Sequence, residues 1–293
     1  MTHPVKIINW NVEHWSRWQD AADWVRSQEP DLFFAQEVQA EQLDKISKRL
    51  GMEGYLAAQV GRSPNENAIF VRPNGPFLFH EEHFQTWAPW HAPANITVWH
   101  RGPDGIVGQH PISLVSIHTC YWSADVRLIE AHWCSTLAKP GWLAVIFGDW
   151  NSVRTDTTIN WRHVGDAAYY ANRTYLQDGK RHTDDRPDRE MLAAGYLDLA
   201  RYAAERGELE ALAPTAGYGR PKHLQGGEQA IDRGYASRLI AEALTGYEVC
   251  KSDELERISD HRPEIALFDQ DKLQSATNRP ADTASVAEVT ARG

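Results

Sequence analysis

Cysteine is scarce: Cys120, Cys134 and Cys250 are the only thiols in 293 residues. The odd count argues against a disulfide framework, and the spacing fits no closed zinc site, so a reducing compartment is expected. Long apolar runs are also missing. The longest, around Trp142 to Phe147, is far below the ~18 residues of a membrane helix. The N-terminal residues lack the apolar core of a secretory signal. A soluble, cytoplasmic protein without a membrane span is the expectation, and a monomer. Positive charge is in deficit: 30 Lys and Arg against 40 Asp and Glu leave a formal charge of −10. Nonspecific grip on nucleic acid comes from Lys and Arg on phosphates. A protein with that main task is therefore disfavoured, whereas an enzyme using a metal and a local groove is not. No repeat of fixed period is found. With 42% hydrophobic and 24% charged residues, the composition is that of an ordinary globular chain, which excludes wholesale disorder and fibrous folds.

What is present is an alternation of short apolar strands and amphipathic helices. Val5–Val12 reads as a buried strand. Trp18, Ala21, Ala22 and Val25 fall on one helical stripe, stopped before Pro30. Asp31–Gln36 is a second strand. A helix with Leu43, Ile46 and Leu50 on one side follows, with Gly51 as its cap. Asn95–His100 and Ile112–His118 read as a hairpin. Ser123 caps a helix whose buried side is expected to carry Val126, Ile129, Trp133 and Leu137. Trp142–Phe147 is another buried strand, and Ala230–Asp232, Gly246–Cys250 and Glu264–Phe268 complete the set. Residues 1–270 are read as one domain, with 155–227 as a variable loop region, Gly-rich and mobile over 217–227. Residues 271–293 are read as a disordered tail.

Polar residues recur where the apolar strands end: Asn9 and Asn11, Gln36 and Glu37, His118, Asp149 and Asn151, Asp260 and His261. Strand ends gathered on one side of a packed sheet make a rigid base for a site. The set contains oxygen ligands (Glu37, Asp260, Asn11), an acid–base pair (Asp149, His261) and hydrogen-bond donors (Asn151, His118). It suits Mg²⁺, which prefers one or two carboxylates plus substrate phosphate.

The ordered series Asn-Trp-Asn-Val (9–12), Pro-Asp-Leu-Phe-Phe-Ala-Gln-Glu (30–37), Ser-Ile-His-Thr (116–119), Gly-Asp-Trp-Asn (148–151), Ile-Asp (231–232) and Ser-Asp-His-Arg-Pro (259–263) resembles the endonuclease/exonuclease/phosphatase superfamily, over about residues 4–269. The resemblance implies a DNase I-like α/β fold, a four-layer α/β/β/α sandwich of two mixed sheets flanked by helices. It implies a metal-dependent phosphoesterase using Mg²⁺ or Mn²⁺. By position, Glu37 would bind the metal, with Asn11 and Asp260 beside it. Asp149 would orient or deprotonate water, Asn151 and His118 would hold the phosphate, and Asp232 would orient His261. The expected partner is a phosphate-ester substrate, with nucleic acid favoured. Alternatives are a phosphatase or phosphodiesterase for an inositol phosphate, nucleotide or lipid headgroup, and a catalytically silent binding protein on the same fold.

Several residues keep two readings at this point. Arg233 follows Asp232, so the aspartate has a neighbouring cation as well as His261 to pair with. Trp10, Trp133 and Trp142 read as core. Trp15, Trp122, Trp150 and Trp161 lie near the site in sequence, and any of them can stack on a base, sugar or headgroup. Cys120 lies close to His118, but nothing marks a lowered thiol pKa, so a thiol nucleophile is not the reading taken. Lys180–Arg186 reads as a solvated loop, or as a lid meeting an anionic substrate.

Overall fold

A computed structural model describes residues 3–61, 63–219 and 226–279. The strands are β1 Val5–Asn11, β2 Leu32–Gln39, β3 Glu53–Leu56, β4 Asn65–Val71, β5 Phe77–Glu82, β6 Ala94–His100, β7 Ile112–His118, β8 Leu143–Asp149, β9 Thr174–Gln177, β10 Lys180–Thr183, β11 Leu197–Asp198, β12 Asp232–Ala236, β13 Leu244–Val249 and β14 Glu264–Phe268. The helices are α1 Trp18–Ser27, α2 Ala40–Leu50, α3 Ala124–Ser135, α4 Ala167–Asn172, α5 Arg186–Ala193, α6 Leu199–Ala204, α7 Arg238–Ala241, α8 Leu255–Ile258 and α9 Gln270–Asn278. Two six-stranded sheets run in the orders β13-β14-β1-β2-β4-β3 and β11-β12-β8-β7-β6-β5. Each has one parallel pair at its centre, β1/β2 and β7/β8, with antiparallel pairs outward. The two sheets thus repeat one strand pattern, although the sequence carries no repeat.

The layers follow from strand alternation. Ile7, Phe34, Leu114, Val145 and Phe147 pack between the sheets. Ile8, Trp10 and Phe33 face the opposite way, against Ala22 and Val25 of α1 and Ile46 of α2. Val115, Ile117 and Ile146 pack outward with Cys134 of α3 and Met191 of α5. The result is a four-layer α/β/β/α sandwich. By the same parity Asn9, Asn11, Gln36, Ser116, His118 and Asp149 point into the space between the sheets, at the carboxyl ends of the central strands. Beneath the site they form a buried network. Gln36 Nε2 donates to Asn9 Oδ1 and Ser116 Oγ, both at 3.0 Å, and Asn9 Nδ2 donates to Glu264 Oε2 at 2.8 Å.

Gly148 has a steric reason. It pairs with Ile117 across the parallel β7/β8 ladder, and a Cβ at Gly148 would lie 1.8 Å from the Ile117 carbonyl oxygen. Backbone has little room to yield there. Gly148→Ala is expected to cost about 3 kcal/mol, read as a drop in the urea midpoint at unchanged slope.

Four expectations are corrected. The buried side of α3 is Ala124, Arg127, Glu130, Ala131 and Cys134, while Ile129 is exposed. Two ionisable residues take the buried positions because each has partners. Arg127 donates to Asp184 and to the Cys120 and Asn172 carbonyls, and Glu130 accepts from the Cys120 amide. Trp142 is half exposed and lies under Lys139 rather than in the core. Within 155–227, Thr174–Gln177 and Lys180–Thr183 pair as a small ribbon, and Asp184 is buried against Arg127 and Arg186. Lys180–Arg186 is therefore only partly a solvated loop. Finally, the tail does not begin at 271. Gln270–Asn278 is a helix capped by Asp269, with Leu273, Ala276 and Thr277 buried. Its apolar stripe is too short to stand out in the sequence. The expectation of disorder for 280–293, and of mobility for 220–225, falls outside the described residues.

Burial is the chief influence on the Glu130 carboxyl and, against the Cys120 amide and Arg127, pushes it up to about 8. The unfolded chain releases this proton near the ordinary value of 4.5. The folded state therefore binds the proton more tightly, so the resulting stability is full below about pH 4.5 and is lost as pH rises through about 8. Glu130→Gln should flatten the decline of Tm between pH 5 and 8 and raise Tm at pH 8 by several degrees.

Candidate active site

Glu37 shows how local backbone builds the centre. Regular alternation would send its side chain away from Gln36. Instead the β2/β4 register shifts between Ala35 and Val38, and Glu37 sits at φ 64°. The bulge returns its carboxylate to the site. Its Oε1 accepts from Asn11 Nδ2 at 3.2 Å. Its Oε2 accepts from the His14 amide at 2.8 Å and lies 2.7 Å from His14 Nδ1. Glu13, His14, Trp15 and Asn151 also have positive φ. Left-handed backbone in non-glycine residues is costly and clusters where a site over-determines it.

Asn11 joins the two halves. The same Nδ2 lies 3.2 Å from Asp149 Oδ2. Asp149 Oδ1 accepts the Asn151 amide at 2.9 Å, which leaves Oδ2 facing the site. Around Oδ2 stand His118 Nε2 at 3.5 Å and His261 Nε2 at 3.8 Å. His118 Nδ1 is 4.0 Å from Glu37 Oε1, and its ring stacks on His91 at 5.4 Å. His261 Nδ1 lies 2.8 Å from Asp232 Oδ2. Asp260 Oδ1 is 3.9 Å from His261 Nε2 and more exposed than the rest. The eight residues to which the resemblance gives roles are thus in one centre. Asn151 differs in detail, since its Nδ2 donates to the Thr119 carbonyl at 3.0 Å, and its second N–H is the one open to a ligand.

Arg233 does not compete for Asp232. Adjacent strand residues point to opposite faces, and Arg233 donates to Ser152 Oγ at 2.6 Å, beneath Trp150 and Tyr235. Trp15 and Trp150 are buried framework, with indole N–H groups on the Gln36 and Arg233 carbonyls. Trp122 is exposed and Trp161 half-buried, so both keep a stacking face. Burial pushes the Cys120 thiol up, the opposite of nucleophile activation.

The charges are set by mutual contact. Burial opposes ionisation of Asp149, but His261, His118 and Arg173 outweigh it and hold the carboxyl below its ordinary range. Burial alone would strip His261 of its proton; Asp232, Asp149 and Asp260 overcome that and push it up to about 10. For Asp232 burial wins and, with Asp149 beside it, raises the carboxyl. The dyad therefore holds one proton between the imidazole and Asp232 at neutral pH.

A divalent cation fits this donor set. Asn11 Oδ1 is buried without a hydrogen-bond partner, beside the Glu37 carboxylate. An orphaned acceptor next to carboxylate oxygens suits a hard ion. Asp149, Asp232 and His261 also bring one ligand atom each within 4.8 Å of one another. There, however, Nδ1 is engaged by Asp232 and the imidazole is protonated, and a metal needs neutral imidazole.

The model of the endonuclease/exonuclease/phosphatase family matches residues 8–261. The chain belongs to that family. It is accordingly a metal-dependent hydrolase of phosphate esters, with the DNase I-like fold of the family. No curated protein sequence matches it. Among solved structures it is similar to an AP endonuclease from Archaeoglobus fulgidus, at 16% identity and TM-score 0.64 over 90% of this chain and 99% of that one. The 3′ phosphatase NExo from Neisseria, bound to a product DNA hairpin, shows 18% identity and TM-score 0.61 over 90% and 99%. TDP2 of D. rerio, complexed with single-strand DNA product, shows 14% and 0.59 over 91% and 99%.

Family membership leaves several residues of the centre unaccounted for by sequence reasoning. Ser259 Oγ donates to the Asn11 carbonyl at 2.7 Å and accepts the His261 amide at 3.0 Å. Thr215 Oγ1 accepts the Asp232 amide at 3.0 Å. Arg173 donates to the Asn151 carbonyl, and Tyr218 to the Ser259 carbonyl. Ser259 stood within a motif and was the one with a signal. Arg173, Thr215 and Tyr218 come from 155–227, where polarity is uniform and no spacing marks them.

Proposed function

We propose that this phosphoesterase is a nuclease, a phosphodiesterase that cleaves DNA or RNA by in-line attack of water. The observation that carries the reading is that one amide, Asn11 Nδ2, lies 3.2 Å from both Glu37 and Asp149. This brings the proposed metal ligand and the proposed base within the span of a single phosphate. Relatives of like fold that act on or are bound to DNA support the substrate class, as do the exposed Tyr121 and Trp122, which follow His118 closely in the chain.

In this reading Asp149 Oδ2 orients the attacking water and accepts its proton, since the Asn151 amide and two histidines keep Asp149 ionised and fixed. Asn151 and His118 donate to non-bridging oxygens. His261, kept protonated by Asp232, places a cationic N–H on the phosphoryl group as charge builds there. Glu37 and Asn11, with Asp260 alongside, would hold Mg²⁺ or Mn²⁺. When bound, the ion supplies charge neutralisation and lowers the pKa of a bound water. A cytoplasmic location belongs to the same reading and is supported by three free, buried thiols. Among the described residues no helix is long and apolar enough to cross a membrane.

The net charge of −10 favours a second reading, a small phosphate ester as substrate. One screen separates the two: single- and double-stranded DNA, RNA, bis-p-nitrophenyl phosphate and inositol phosphates, each with Mg²⁺. The nuclease reading expects cleavage of an oligonucleotide with higher kcat/KM than any small ester. The reverse order would replace it with the second reading.

A further inference from the structure

We propose that the hollow lined by Trp161 and Tyr170 seats an unpaired base of a single-stranded nucleic-acid substrate that reaches the centre. This rests on the nuclease reading and narrows it. The hollow has a volume of about 360 Å³ and is lined by Trp161, Arg162, Val164, Gly165, Ala167 and Tyr170, which is within the size range of small-ligand pockets. Its aromatic walls are held from behind. Trp161 Nε1 donates to Thr183 Oγ1 at 2.7 Å, and the indole lies 5.4 Å from the Tyr170 ring at an interplanar angle of 56°. The two rings are tilted against each other rather than stacked, and both line the hollow.

The charge at the hollow is opposite to that of the protein. Arg162 is exposed in the lining. Arg173 lies 5.4 Å over Tyr169 and Arg181 5.9 Å over Tyr170. The adjoining Asp166 uses its carboxylate to cap the Tyr169 amide at 2.9 Å. Flat apolar walls with guanidinium groups around them match a base with phosphates on either side. Such stacking is open to a base outside a duplex and tolerant of its identity.

Two neighbours of the hollow's lining, Arg173 and Tyr169, reach both halves of the centre. Arg173 donates to the Asn151 carbonyl. Tyr169 OH accepts from Gln229 Nε2 at 2.9 Å, and the Gln229 carbonyl accepts the Thr215 amide at 3.0 Å. Thr215 in turn holds the Asp232 amide. The segment that carries the hollow is therefore anchored to the backbone that positions Asn151 and the Asp232–His261 pair.

The test uses the full chain with Mg²⁺ on a single-stranded oligonucleotide, the duplex of the same sequence and bis-p-nitrophenyl phosphate. Trp161→Ala should raise KM for the single strand about tenfold, Trp161→Phe should restore most of it, and hydrolysis of bis-p-nitrophenyl phosphate should be unchanged in both. Arg162→Glu, on the surface, should also raise KM for the strand and weaken its salt dependence. Unchanged KM for the strand in Trp161→Ala and Arg162→Glu overturns the proposal, as does a loss shared equally by all three substrates. A wild-type protein that hydrolyses bis-p-nitrophenyl phosphate but neither strand form overturns the nuclease reading itself, a result seen before any variant is made.

Discussion

Asp149→Asn is expected to lower phosphodiester turnover by about 10⁴-fold, the upper range for loss of a positioned general base, with the fold intact. The substitution keeps the shape, and its amide oxygen can still accept the Asn151 amide that Asp149 Oδ1 accepts at 2.9 Å. It removes the charge that Oδ2 presents to His118, His261 and Asn11. Two effects then act together. The water loses its proton acceptor, and His261 loses one of the carboxylates that keep its proton in place. The loss should lie in kcat, because binding of phosphate depends on donors and cation that remain. Single-turnover kinetics with a thermal melt of the same sample checks this. A variant within tenfold of wild type, correctly folded, would remove Asp149 from the reaction.

The order of the fold was legible because buried strands and amphipathic stripes are written in apolar periodicity. Val5–Asn11, Leu32–Gln39 and the hairpin Ala94–His100/Ile112–His118 all carry that signal. The strand-end residues were legible only as a series: singly, Glu37 reads as a helix cap and Asp149 and Asn151 as an Asx turn, and it is their order along the chain that pointed to one site. What stayed hidden was long-range. Alternation alone faces Glu37 the wrong way, and only a bulge with φ 64° turns it inward, a feature no residue pattern announces. Arg127 and Glu130 look like solvent residues until their partners at Asp184 and Cys120 appear. Arg173 and Thr215 serve the centre through backbone contacts, for which side-chain chemistry leaves no trace in sequence. His14 is similar: it grips Glu37 partly through its own amide.

Dialysis against a chelator should bring activity to background, and added Mg²⁺ should restore it. Glu37→Gln should raise the Mg²⁺ concentration for half-maximal activity by about 10- to 100-fold, the cost typical of disturbing a metal's surroundings, or abolish the response. The argument is one of charge. Glu37 is the carboxylate beside the unpartnered Asn11 Oδ1, and Gln keeps its length while removing the charge that a hard cation needs. Without the cation, Asn151, His118 and His261 remain as donors, too few to offset a phosphoryl group gaining charge in flight. The competing placement, at Asp149, Asp232 and His261, gives a different outcome: Glu37→Gln would leave the Mg²⁺ midpoint unchanged, and Asp232→Asn would shift it. Calorimetric titration of Mg²⁺ into both variants distinguishes the two placements independently of turnover, and full activity in the presence of chelator would refute both.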